Sequence, residues 1–405
     1  MHTYGWAIAF TAIATPALAQ PGPQPQPQPQ PPTETDAEIE AALAADAAAE
    51  TPPPAQPTGA LAILSPDLSI ILDVAGAWFS DQDHLQTGGH DPIRTGFTLQ
   101  QVELAAGKAV DPYFRFDANL VFTPEGVEVE EAYATTLALP HNLQVRAGEM
   151  FTRFGRLNSI HPHAWDFADQ PFAIGRVFGP DGYHGPGVEV SYLTPLPWFV
   201  EVVASATDAH GEETARSFLG DADVAIETPL DVLATGAVKQ FIELGPDLSL
   251  LTGVSIASGP NATGPDKRTN IAGGDLFLKW RPISYASDKM VALQSEWFYR
   301  RRQVPGTILV DTSGYAYVVA QLAKRWGVGA RWELGTPADE AGGDDLDPMW
   351  TDTRQRFSTD VTFRPTEFSR LRLQGSVDRP GWRDPIWAGF LALEVSAGAH
   401  GAHRY

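Results

Sequence analysis

The chain has no cysteine in its 405 residues. Disulfides and thiolate metal sites are therefore excluded, and the fold must be held by backbone pairing and packing. Long apolar runs are missing too. After residue 20 no stretch reaches the 18 or more apolar residues that a bilayer-spanning helix needs. Base is scarce: 28 Lys and Arg stand against 50 Asp and Glu, a net charge of −22, which argues against nucleic acid as a partner. Charged residues make up only 19%, against 43% hydrophobic and 10% aromatic. That balance is thin in charge for a water-soluble protein and suits a β-barrel in a membrane.

What is present begins with a leader. In residues 1–19 an apolar run from Trp6 to Ala14 precedes Ala17-Leu18-Ala19, a small-x-small cleavage pattern. The n-region carries His2 but no Lys or Arg. A mature chain starting near Gln20 would be exported. Residues 20–33, QPGPQPQPQPQPPT, form a polyproline-like spacer, because proline fixes φ and lacks a donor. The stretch 34–50, ETDAEIEAALAADAAAE, favours helix by composition but holds too little apolar surface for a core. Residues 20–67 are thus expected to be an arm outside the folded domain.

From residue 68 the texture changes to short alternating segments separated by turns. Sixteen are recognisable: 69–80, 94–108, 113–123, 127–139, 143–153, 186–194, 198–208, 231–243, 247–258, 269–281, 290–303, 312–322, 326–335, 350–364, 369–379 and 386–399. Short connections (110–112, 139–142, 194–197, 245–247, 323–326, 365–368) interleave with long ones (81–93, 154–185, 209–230, 259–268, 304–311, 336–349, 380–385). Short turns on one side and long loops on the other predict an all-β fold over 68–405, a transmembrane antiparallel β-barrel of about 16 strands.

Parity along the segments agrees. Arg354, Arg356, Ser358, Asp360 and Thr362 alternate with Phe357, Val361 and Phe363; Arg370, Arg372, Gln374, Ser376 and Asp378 alternate with Leu371, Leu373 and Val377. One face suits lipid and the other water, with period two. Because a packed interior could hardly bury so many charges, the lumen is expected to be wet. Trp78, Trp198, Trp280, Trp297, Trp326, Trp332 and Trp387 lie near strand ends or on apolar faces, where an aromatic girdle would form.

Two stretches carry a family resemblance. AVDPYFRFDANLVF (109–122) and GVEVEEAYATTLALPHNLQVRAGEMFTRFGRLN (126–158) resemble the phosphate-selective porin superfamily of bacteria, in which a strand with Gly, an aromatic and a second Gly leads into the third loop. With HPHAWDFADQP (161–171), the same block is similar to proteins labelled zinc-regulated TonB-dependent outer-membrane receptors, over roughly residues 95–205. Tyr405 at the end of the last segment resembles the terminal aromatic of outer-membrane proteins. The resemblance implies a porin of the bacterial outer membrane in contact with lipid and lipopolysaccharide, with its arm in the periplasm. It also implies a homotrimer as the assembly and passive diffusion of small hydrophilic solutes or ions. TonB is not expected as a partner: plugged transporters have about 22 strands, and residues 20–67 leave no room for a plug.

Within that frame the expected pore-lining residues are Arg115, Asp117, Arg146, Glu201, Glu296, Arg331, Arg354, Arg356, Arg370, Arg372 and Glu394. An arginine ladder set against acids attracts anions and creates a transverse field. The plainer alternative is that these arginines pair with Glu333, Asp360 or Asp378 and only hold the wall together. The loop 154–185 is the expected constriction, with Asp166, Asp169 and Asp181 facing the ladder. His161, His163, Asp166 and Asp169 offer imidazole and carboxylate ligands for zinc, joined by outer-loop histidines at 84, 90, 184 and 210. A metal-uptake receptor is the functional alternative; otherwise no cofactor is expected. Ser159 stands two residues before His161, but adjacency is not dyad geometry, and no enzymatic activity is expected.

Overall fold

A computed structural model describes residues 67–398, apart from 212, 225–227, 229, 230, 265, 284–287 and 339–345. The predicted leader, the arm up to residue 66 and Tyr405 lie outside the described residues. The chain folds as a closed antiparallel barrel of sixteen strands. They are β1 (Asp67–Phe79), β2 (Gly96–Ala109), β3 (Phe114–Phe122), β4 (Val127–Thr136), β5 (Leu143–Phe151), β6 (His184–Leu193), β7 (Phe199–Thr207) and β8 (Leu233–Glu243). The second half comprises β9 (Leu248–Pro260), β10 (Arg268–Trp280), β11 (Met290–Val304), β12 (Thr307–Ala323), β13 (Trp326–Gly335), β14 (Arg354–Thr366), β15 (Ser369–Pro380) and β16 (Ile386–Gly398). Each strand pairs with its neighbours in sequence, and β1 closes on β16 from Ser69↔Gly398 to Phe79↔Ala388.

Closure satisfies every strand edge, the condition for putting a sheet in hydrocarbon. The period-two pattern then sorts the side chains. On β15, Arg372, Gln374 and Asp378 are buried while Leu373 is 61% exposed. On β16, Phe390 and Ala392 are buried, whereas Trp387, Leu391, Leu393 and Val395 are exposed on the other face. The apolar surface is outside and the charge inside, the reverse of a water-soluble protein.

Three connections depart from the expected alternation. The supposed long loop 304–311 is mostly strand, because β11 and β12 meet in a tight hairpin at Pro305-Gly306. Gly306 supplies the positive φ of +86° that such a turn demands. A tight turn also joins β3 to β4 on that side, where Thr123 and Gly126 bond each other's backbone. Conversely, the connection from β10 to β11 on the short-turn side spans 281–289.

The expectation of a wholly wet interior is corrected as well. An apolar cluster fills part of the barrel, joining Phe154, Phe172 and Phe178 of the β5–β6 loop to Ile271, Phe298 and Tyr315 of the wall. Charges are buried there after all, because they are paired. The outward face generates a test. Leu373→Arg, near the middle of β15, should destabilise the barrel by about 2–4 kcal/mol, the cost of Arg facing lipid at the midplane. Urea unfolding in lipid vesicles measures it, and unchanged stability would show that this face does not meet lipid.

Candidate functional site

The β5–β6 loop, residues 152–183, folds into the barrel. Single 3-10 turns at Leu157–Ser159 and Pro162–Ala164 and one short helix, α1 (Phe172–Val177), give it internal structure. Its aromatics stack in sequence: Phe154 meets Phe178 edge-on, and Phe178 lies parallel to Tyr183. The loop touches the wall so closely at Gly155 that a Cβ there would stand 2.3 Å from Glu296 Oε2. Its φ of +62° independently favours glycine.

Of the predicted pore-lining charges, Glu296, Arg331, Arg356, Arg370 and Arg372 anchor this loop, and Arg354 anchors the β1–β2 loop. Glu296 accepts from the backbone amides of Arg156 (3.1 Å) and Leu157 (2.7 Å) and from the Tyr315 hydroxyl (2.6 Å). Glu333 accepts from the Phe172 amide at 2.6 Å, at the start of α1. Arg331 holds both the carbonyl (2.9 Å) and the carboxylate (2.6 Å) of Asp169. Arg356 bridges Glu333 (2.7 Å) to the Gln170 carbonyl (2.7 Å). Arg354 pairs with Asp378 and reaches the Leu85 carbonyl at 2.7 Å. Arg370 pairs with Glu394 and donates to the carbonyls of His163 and Trp165, while Arg372 donates to Phe167 O at 2.7 Å. The plainer alternative foresaw the partners Glu333 and Asp378. It missed the loop carbonyls, which the one-dimensional pattern cannot show.

The remaining lining residues sit toward the short turns and keep contact with solvent. Arg115 pairs with Asp117 at 2.7 Å, and their side chains are 42% and 26% exposed. Arg146 pairs with Glu189, while Arg153, which the sequence reading passed over, bridges Glu189 and Glu201, each at 2.7 Å.

The proposed ligand set of His161, His163, Asp166 and Asp169 does not assemble. Asp169 is engaged by Arg331, Arg356 and Gln374 on β13–β15, which hold its carboxyl below the ordinary range against the effect of burial. Asp166 acts electrostatically on Tyr317 of β12 and on Arg370 of β15, away from the histidines' glutamates. Asp181 lies near His90, 3.9 Å away, and burial beside Glu128 raises its pKa. The two histidines instead turn to glutamates of β2 and β4. His161 Nδ1 lies 2.8 Å from Glu130 Oε2, and Nε2 lies 2.9 Å from Glu131 Oε2. His163 Nδ1 lies 2.7 Å from Glu103 Oε2. Burial alone would discharge the His161 ring, but the Glu103 and Glu130 carboxylates overcome it and raise its pKa well above the usual imidazole value.

Consecutive residues of a strand normally face opposite ways, yet Glu130 and Glu131 both point inward. A β-bulge explains it: Asn119 pairs with Glu131 and Leu120 with Val129, leaving Glu130 as the extra residue. The same device at β2 leaves Gln100 unpaired between Leu99 and Gln101. Both glutamines are buried, Gln100 donating to the loop's Ala168 carbonyl and Gln101 to Asp73. The signal in the sequence was the polar doublet itself, which breaks period two.

On the long-loop side an ionic knot ties three loops together. Asp347 of the β13–β14 loop accepts from Arg176 of α1 (3.1 Å), from Arg216 of the β7–β8 loop (2.8 Å) and from Arg300 of β11 (3.4 Å). Although burial opposes it, the three guanidiniums hold the Asp347 pKa down to about 2. A depressed folded value means that this carboxylate stabilises the docked loops above its ordinary pKa of 3.8 and ceases to do so as pH falls through about 2. Amide-exchange protection of residues 213–219 should therefore be lost across that window. Asp347→Asn should remove this pH dependence and cost about 3 kcal/mol, by leaving buried guanidiniums short of their counter-ion. Protection unchanged in the variant would dismiss the knot as the tie.

No family model matches the chain. A protein of Aquifex aeolicus (strain VF5), described only as uncharacterized, is 31% identical over 382 residues, covering 84% of this chain and 80% of its own. Solved structures of similar shape include the outer membrane channel DcaP of Acinetobacter baumannii (TM-score 0.56, 13% identity, 82% of this chain and 97% of that one). The anion-selective porin from Comamonas acidovorans gives a TM-score of 0.54 at 11% identity over 82% of this chain and 99% of that one. OmpT of Vibrio cholerae in its trimer form gives 0.52 at 9% identity over 82% and 99%. At such identities the likeness is one of fold, the sixteen-strand barrel of outer-membrane porins and channels. By its sequence, the chain belongs to the same family as the Aquifex aeolicus protein.

Proposed function

We propose that the protein is an outer-membrane porin, through which small hydrophilic solutes or ions diffuse passively along a charged lumen narrowed by the loop 152–183. The observation that carries this is the loop itself: it lies inside a closed barrel, fixed to β11–β15 by the anchors of Glu296, Glu333, Arg356 and Arg370. A barrel whose purpose was only structural would not need a loop pinned in its interior. The solvated pairs Arg115–Asp117 and Arg153–Glu201 supply a polar wall on the short-turn side. Ions are conducted where charged groups replace part of their hydration without holding them. The barrel fold shared with porins, one of them in trimer form, supports an outer-membrane setting and a homotrimer; the arm of residues 20–67 is proposed to lie in the periplasm.

The alternative of a metal-uptake receptor drew on a ring of outer histidines and on Asp166 and Asp169. It weakens because those two carboxylates face other walls. Planar bilayers test the porin reading directly. The wild-type barrel should give steady, ohmic conductance steps, and deleting 160–170 should raise their size. Arg370→Ser, which frees the His163 carbonyl and leaves Trp165 to Arg372 alone without shortening the chain, should do so to a lesser degree. A barrel with native heat-modifiable gel mobility that stays silent, with and without the deletion, would refute passive conduction; equal conductance in all three would refute the loop as the constriction.

A further inference from the structure

The His–Glu cluster is not used by the proposed conduction path, and its composition is unusual for a wall-to-loop contact. Glu103 and Glu130 are each 1% exposed, and His161 lies between them. Its Nδ1 is 2.8 Å from Glu130 Oε2 and 3.8 Å from Glu103 Oε2. All three ligand atoms fall within 4.8 Å of one another. In a tetrahedral site with metal–ligand bonds of about 2.0–2.2 Å, donors stand roughly 3.4 Å apart. The observed spacings bracket that value, so only small side-chain shifts separate the cluster from a ligand shell.

We propose that Glu103, Glu130 and His161 form a binding site for a divalent transition-metal ion of the zinc class, clasping the inward-folded loop to β2 and β4. With no thiolate and a mixed imidazole–carboxylate set, the donors suit zinc better than calcium or magnesium, which take oxygen ligands. The groups around the donors are those a metal site requires. A ligating histidine normally gives its second ring N–H to a carboxylate, which fixes the tautomer and the ring plane. Here His161 Nε2 stands 2.9 Å from Glu131 Oε2, and the Asn119 amide donates to that same oxygen at 3.1 Å. His163 orients Glu103 through its 2.7 Å contact.

A second observation points independently to an ion. His90 is 7% exposed and directs Nε2 toward the other oxygen of Glu130, 3.6 Å away. Neither of its ring nitrogens has a hydrogen-bond partner. It lines a small cavity together with Glu130. A buried imidazole whose nitrogens lack a hydrogen bond, held only in longer contacts with Glu130 (3.6 Å) and Asp181 (3.9 Å), leaves donor or acceptor capacity that an ion or water beside Glu130 could use. The bulge in β4 is the structural investment, since without it Glu130 and Glu131 could not both face inward. Access is from the lumen, where His161 remains 15% exposed and Glu131 10%.

The test uses the full-length folded barrel in detergent, titrated with zinc chloride against a chromogenic chelator. One zinc per chain is expected at neutral pH. Glu103→Gln, Glu130→Gln and His161→Ala should each weaken it at least tenfold, and Glu131→Gln by about 10–100-fold, the usual loss when a ligand's orienting partner goes. Asp166→Asn, outside the set, should bind as the wild type does. Cobalt substitution of the wild type provides a second measurement that needs no folded variant: intense visible ligand-field bands of a four-coordinate site, abolished by excess zinc. Absence of stoichiometric binding and of those bands would overturn the proposal. So would full affinity in a Glu103→Gln/Glu130→Gln double variant, which would place the ion on surface histidines such as His84 and His210. The binding readout does not involve conductance, so failure of either idea leaves the other standing.

Discussion

A guanidinium buried inside a barrel must find enough acceptors, and that requirement organises this molecule. Arg331, Arg354, Arg356 and Arg372 are all nearly inaccessible. Each carries five donors in a rigid fork and cannot shed its charge. The strands supply few carboxylates: Glu333 serves both Arg331 of its own strand and Arg356 of β14, and Asp378 serves Arg354. Further donors reach the main-chain carbonyls of Leu85, Trp165, Phe167, Asp169 and Gln170, all on loops. The wall therefore specifies the path of the loop as much as the loop narrows the wall. Removing the loop would expose these guanidiniums to water at little electrostatic cost. Removing an arginine would strand carbonyls and acids together.

The polar anchors are backed by an apolar layer. Phe167 lies under Arg331 and Phe172 under Arg354, with the guanidinium carbons 4.5 and 4.4 Å from the ring centres. Trp350, in the β13–β14 loop, takes Arg176 of α1 in the same way at 3.7 Å. Such stacking fits Arg far better than Lys, because the flat cation offers a face to the ring while its edge still donates. It also excludes water from the ion pairs, raising both their strength and the penalty for leaving one incomplete. Aromatics and arginines thus recur together along 154–178, a run that resembles a ligand pocket in the sequence and is in fact the packing of a loop on a wall.

The fold was legible because lipid imposes period two on every strand. Leu373 and Arg372 must face opposite ways, whatever their neighbours do, so parity alone located the wall and its inward charges. Strand ends were less certain where turn chemistry competed with length: the Pro305-Gly306 hairpin hid inside what read as a loop. The interior was legible as a list of charges but not as a set of contacts. Sequence parity places Arg354 and Arg356 in the lumen without saying whether water or a folded loop meets them there. The histidines His161 and His163 stood out, but their partners were sought among nearby aspartates. The true partners lie about 30 to 60 residues upstream in β2 and β4, brought together by register. The doublets Gln100-Gln101 and Glu130-Glu131 carried the missing information, since two polar residues in succession cannot both face the lumen of a regular strand.

Those two bulges also explain why the loop is held differently on its two sides. Along β11–β15 the arginine ties reach loop carbonyls and the Asp169 carboxylate, beside Glu296 and Glu333, which accept from loop amides. Along β2–β4 they run through imidazole rings to glutamates, which depend on protonation or on a shared cation. Arginine keeps its charge at any pH the cell meets, so the first set is permanent. Histidine does not, so the second set is conditional. The loop's apolar residues, meanwhile, pack mainly toward β8–β12. The asymmetry follows from which residue types the strands present along each side of the loop.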